Sequence, residues 1–165
     1  MPRIEFDALP DDARLWIFAA SRALTSVEQG HLLAAVDTFI DRWAAHGAPL
    51  RAARDWRADR FLLVGVDERA AGVSGCSIDA LTGVLKELER QLDVALLDRE
   101  PVYFRTVEDE GIARVSRDEF AAMVAEGRVT EATRVFDNTL VKVEDVRLGR
   151  WEVPAGQSWH GRVFF

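Results

Sequence analysis

One cysteine, three histidines and two lysines are all that this 165-residue sequence contains of those types, and each shortage removes a class of chemistry. A lone Cys76 excludes an intrachain disulfide and cannot supply a structural zinc set. His31, His46 and His160 are too scattered for metal-ligand spacing, so no metal and no cofactor are expected. No apolar run has membrane-spanning length and no leader pattern opens the chain, which makes a cytoplasmic protein the default expectation. Net charge is −7 and pI is near 5.0, a balance that opposes nucleic-acid or anionic-membrane partners. No repeat, low-complexity tract or linker is visible. A 48% hydrophobic content is enough to bury a full core, so residues 1–165 read as a single domain.

What is present centres on Arg60 to Leu81, RFLLVGVDERAAGVSGCSIDAL. Phe61, Leu62, Leu63, Val64 and Val66 run without alternation, the pattern of a strand covered on both faces. Gly72, Ser74 and Gly75 then supply turn chemistry, and Ile78, Leu81, Leu85, Leu88 and Leu92 fall on one helical face. Ser77, or Ser74 if the first turn begins earlier, reads as the N-cap, with Asp79 in the first turn. Cys76 is thereby placed at or beside a helix N-terminus. Free amides and the positive dipole end there favour a thiolate or a bound anion. The plain alternative is a small buried filler between sheet and helix.

The flanking segments predict an α+β fold. Leu15–Ala19 forms a strand, Thr25-Ser26-Val27-Glu28 a capping box, and Val27, Leu32, Val36, Phe39, Ile40 and Trp43 a helical stripe that ends near His46 and Gly47. His46 then sits at a helix C-terminus, where a cation is favoured. Leu50–Trp56 suggests a half-exposed strand and Val102–Val107 another. Strand, helix, strand, strand, helix, strand is the ferredoxin-like βαββαβ order, over about residues 14–107. Before it, Pro2 and Pro10 mark an irregular lead-in to which Ile4 and Phe6 could add an edge strand. After it, a C-terminal α/β extension over about 108–165 contains an acidic turn, a strand at 112–115, a helix from Ser116, a strand at 133–136 and a return strand at Leu140–Val143. Its apolar residues Trp151, Trp159, Phe164 and Phe165 call for packing against the body or against a second copy in a homodimer.

The segments WIFAASRAL (16–24), RWAAHGAPL (42–50), RFLLVGVDE (60–68), SGCSID (74–79) and WEVPAGQSWH (151–160) resemble a family of small, uncharacterised bacterial proteins often catalogued as "ABC transporter ATPase". The resemblance spans nearly the whole chain, SGCSID being its most distinctive element, and implies no established activity or catalytic residues. The catalogue name conflicts with the chemistry. A transporter ATPase needs G-x-x-x-x-G-K-[ST], and here the strand–turn–helix at Gly72–Cys76 lacks the phosphate-binding lysine. No ATPase activity is expected. A fainter likeness at Val115–Val135 resembles part of small GYF-type peptide-binding modules.

Three functions remain open at this point. One is a binding or regulatory module holding a small anionic ligand at Ser74, Gly75, Cys76, Ser77 and Asp79, with Arg22 and Arg60 at the same edge. Another is a thiol-dependent enzyme or redox sensor with Cys76 as nucleophile, to which His160 could contribute only through the tertiary fold. The third is a structural homo-oligomer.

Overall fold

In a computed structural model that describes residues 3–69 and 71–165, the chain divides into two compact units. Pro2 of the lead-in and Ala70 of the central turn lie outside the described residues. The first unit is the chain up to Leu97 together with Val141–Glu144; the second is Asp98–Leu140 with Asp145–Phe165.

The first unit contains β1 (Arg14–Ala19), α1 (Ser26–Arg42), the short strands β2 (Ala44–Ala45) and β3 (Ala48–Pro49), β4 (Arg51–Arg57), β5 (Phe61–Asp67) and α2 (Gly75–Leu92). β5 lies between β1 and β4 in an antiparallel sheet, and all seven of its residues are buried. Leu62, Val64 and Val66, at the period of two that puts side chains on one face, join Phe18 and Ala52 in a core closed by Leu32, Val36 and Ile40 of α1 and Leu81, Leu85 and Leu88 of α2. The α1 stripe is shorter than its sequence pattern, because Val27 stands 83% exposed in the first turn. α1 also stops at Arg42, with Trp43 as its C-cap. His46 is therefore not a helix terminus: it occupies the β2–β3 turn at a φ of 51°.

A ferredoxin-like sheet would bring the strand near residue 102 beside β1. Here that strand, β6 (Val102–Arg105), pairs instead with β7 (Ile112–Val115) and β8 (Arg134–Phe136) in a separate sheet of the second unit. The β6–β7 pair is a local hairpin, and such pairs close with little loop entropy. The edge of β1 is met by residues 141–143: Leu15 N donates to the Val141 carbonyl at 2.9 Å, and Val143 N to that of Ala13 at 3.0 Å. The return strand expected at 140–143 is thus a single bridge, Arg14 with Lys142, before α4 (Val143–Arg147) begins. At the other edge Ile4 N donates to the Ala52 carbonyl, while Phe6 enters a 3₁₀ turn rather than a strand.

In the second unit β9 (Glu152–Pro154) completes the antiparallel order β7-β6-β8-β9. α3 (Arg117–Ala125) and α5 (Trp159–Phe164) bring Phe120 and Phe164 against Val102, Phe104, Val135 and Val153.

Candidate functional site

β5 delivers the chain to the start of α2 through a buried carboxylate. Asp67 accepts from Arg69 N, Nε and Nη2 at 2.8–3.1 Å, and Arg51 lies 3.7 Å away. The Arg69 guanidinium holds the Asp67 carboxyl below the ordinary aspartate range. Ser74 is the N-cap, its Oγ accepting from Ser77 N at 3.1 Å. Asp79 consequently lies beyond the first turn, exposed, and does not cap. Ser77 is buried rather than presented to a ligand: its Oγ meets Ser74 Oγ at 2.7 Å and donates to the Ala44 carbonyl at 3.1 Å, and its carbonyl accepts from Trp43 Nε1 at 2.9 Å. These bonds tie the first turn of α2 to the end of α1. Gly75 and Cys76 are exposed, and their amides make no hydrogen bond among the described residues. No hydrogen bond links Cys76 to a histidine or a carboxylate there either.

Arg22 and Arg60 do not join this turn. Arg22 donates to both Glu28 carboxylate oxygens and to the Leu92 carbonyl at 2.8 Å, at the far end of α2 from Cys76. Sixteen helical residues separate that end from Cys76, about 24 Å. Arg60 lies just before β5, whereas the turn follows β5, about 23 Å of strand later. The physical reason is the antiparallel course of the helices. The C-terminal end of α1, not the Arg22 end, meets the start of α2, as the Trp43–Ser77 bond shows. Arg22 is instead part of the α1 cap: its guanidinium and the Thr25 amide pull the Glu28 carboxyl down to about 2.

Between the two helices runs a groove of about 800 Å³. Ala34, Ala35 and Phe39 of α1 and Ala80 and Val84 of α2 form its walls, with Trp43 at the end nearest Ser77. It exists because three of the facing positions are alanines, which leave unfilled the space a larger side chain would take. Cys76, Ala80 and Val84 are spaced i, i+4, i+8, so the thiol stands on the same face of α2 one turn before the groove. His31 Nε2 meets Gln91 Oε1 at 2.6 Å at the other end, and Arg42 lies at the rim.

No family model, curated protein or solved structure matches the chain. The site's own geometry therefore carries the functional reading.

His160, the remaining histidine considered for chemistry, lies in the second unit, 1% exposed. Its Nδ1 is 2.7 Å from Ser158 Oγ and its ring stacks on Trp159 at 3.9 Å. Burial pushes its imidazole down to about 4, with Arg117 adding to the depression and Asp137 opposing it. This is a neutral core histidine. No group of three His, Cys, Asp or Glu residues able to hold a metal occurs among the described residues, and no described helix is long and apolar enough to cross a membrane. The groove itself escaped the sequence reading. Its signal was the set Ala34, Ala35 and Ala80 beside the apolar stripes, but small residues on a helix mark close approach as readily as a cavity.

Proposed function

We propose that the first unit is a cytoplasmic small-ligand binding module whose site is the groove between α1 and α2, continued at one end by the exposed Gly75–Cys76 helix start. The observation that supports it is the groove: its volume is that of drug-sized ligand sites, and its mainly apolar walls are opened on the outer side of the helix pair by the small, exposed Ala34 and Ala80. The sheet order β1-β5-β4 is read as three strands of a ferredoxin-like arrangement, with residues 141–143 in the fourth place. The resemblance to the small bacterial family adds no activity to this reading, and ATP hydrolysis is not proposed, because the Gly72–Cys76 turn has no lysine. Exposure of Cys76 at a helix start favours a second reading, thiol chemistry.

The two readings separate in one experiment on the intact protein. A panel of small apolar and amphipathic compounds is screened by thermal shift, and the alkylation rate of Cys76 is measured with and without each hit. Binding in the groove raises Tm and slows alkylation one helical turn away. A panel that leaves Tm unchanged, together with an unusually fast thiol that titrates well below a free cysteine, sinks the binding reading in favour of the thiol one.

A further inference from the structure

The groove is selective in charge as well as shape. Acidic residues number 28 of 165, yet none lines it; its polar groups are the His31 ring, the Thr38 hydroxyl and the Arg42 guanidinium. The two carboxylates nearest on α1 are engaged by other cations. Asp37 is held by Arg54 at 2.8 Å and by Arg3 at 2.7 Å, and Asp41 by Arg3 at 3.0 Å. Arg42 makes no ion pair or hydrogen bond among the described residues, in a chain whose acids outnumber its bases. Thr38, one turn earlier on the same face, is also exposed and its hydroxyl makes no hydrogen bond among the described residues, so a donor stands beside the cation.

The ends of the groove differ. At one end lies the exposed His31–Gln91 hydrogen bond. At the other, Trp43 and Ala44, which follow Arg42, are bonded to Ser77 in the first turn of α2, whose free amides and dipole add positive potential to that end. A C-terminal cation on α1 is favoured by that helix's own dipole, which accounts for an arginine at this position but not for the apolar channel leading up to it.

We infer that the groove takes an amphipathic anion, its apolar chain or ring along Ala34, Phe39, Ala80 and Val84 and its carboxylate at Arg42 and Thr38. The inference rests on the ligand-binding reading of the groove and names the ligand's class and orientation. A carboxylate there gains charge-assisted hydrogen bonds in a setting that excludes water on one side, while a cationic head on the same tail meets Arg42 unfavourably.

The test uses the full chain and three probes with one tail, below their micelle concentrations: decanoate, decanol and decyltrimethylammonium. Affinity is read by titration calorimetry, and occupancy by protection of Cys76 from alkylation. Decanoate is expected to bind at least tenfold more tightly than the cation and to protect the thiol. Arg42→Gln is expected to weaken decanoate tenfold or more and leave decanol unchanged. Ala80→Trp and Ala34→Trp, both at exposed positions, are expected to abolish binding of all three while retaining the wild-type melting profile. If decanol and the cation bind as tightly as decanoate, and Arg42→Gln changes nothing, the anion class is wrong while the groove stands. If no probe binds, or the filled variants bind as before, both fail. A dimer in sedimentation that Ala80→Trp dissolves makes a second copy of the chain the occupant and overturns the inference.

Discussion

Each unit packs two helices against an antiparallel sheet, with opposite choices of side chain where the helices meet. In the first, α1 and α2 face each other with Ala34, Ala35 and Ala80, and a groove of about 800 Å³ remains. In the second, α3 and α5 meet through Phe120 and Phe164, ring centroids 4.9 Å apart, with His160 6.2 Å from Phe120 and Trp159 stacked on His160. The difference teaches that residue size at the helix contact decides where a unit keeps its cavity: in the second unit the helix contact is filled, and the space of about 600 Å³ lies instead between α3 and the β6–β7 hairpin, lined by Phe104, Val115, Glu119 and Met123. The aromatics of the second unit supply its stability; the alanines of the first forgo some packing and leave room for a ligand.

The largest expected effect breaks the filled side of this contrast. Phe120 is fully buried and touches Phe104 as well as Phe164. Phe120→Ala should cost about 3–5 kcal/mol, by lost transfer free energy plus the cavity left behind. Urea unfolding gives the total, and hydrogen exchange at β6 and β8 amides assigns it to the second unit. A cost near that of a surface substitution, under about 0.5 kcal/mol, would mean that the aromatic cluster is not what holds this unit together.

A somewhat smaller effect is pH-dependent. The folded imidazole of His160 titrates near 4 and an unfolded one near 6.5, so the unfolded chain binds a proton first as pH falls. The stabilisation is fully present above about pH 6.5 and is lost progressively toward pH 4, with an upper bound of about 3 kcal/mol. Asp37, Asp67 and Glu152, whose carboxyls are held low by arginines, lose theirs at lower pH. Stability measured between pH 7 and 4 should therefore slope downward in wild type and flatten in His160→Gln. Equal slopes in the two proteins would show that the ring is solvated and that the second unit is looser than its packing implies.

The contrast also explains what the sequence could disclose. β5 was legible because the apolar run from Phe61 to Val66 without alternation has few other uses, and the α1 start because Thr25 and Glu28 form a reciprocal cap at close spacing. Both signals are local. The partner of β6 was not legible, since its apolar residues suit either sheet and only the tertiary fold selects an edge. The same holds for the candidate site. Cys76 at a helix start follows from Ser74 and the glycines nearby, but its exposure does not, and placing Arg22 and Arg60 there required the relative course of α1 and α2, which no local pattern encodes. Alanine carries too little chemistry to announce a groove.

The smallest effect compares the two helix starts of the first unit. Thr25 makes a complete capping box with Glu28, and Arg22 braces the same carboxylate. Ser74 caps Ser77 N, but Ser77 keeps its bond to the Ala44 carbonyl and its contact with Trp43 whether or not Ser74 is present. Thr25→Ala leaves Glu28 N without its acceptor, while the residue 25 amide still donates to the Glu28 carboxylate, so it should cost about 1 kcal/mol. Ser74→Ala removes one hydrogen bond from a turn still pinned on its inner side, and should cost about 0.5 kcal/mol, near the low end for an N-cap. Its clearer readout is local: amide exchange at Ser77 should quicken while exchange in the middle of α2 stays as it was. If Ser74→Ala proves the costlier of the two, or exchange quickens along the whole helix, then the Ala44 and Trp43 contacts do not hold the α2 start, and the end of the groove assigned to the anionic head is mobile rather than fixed.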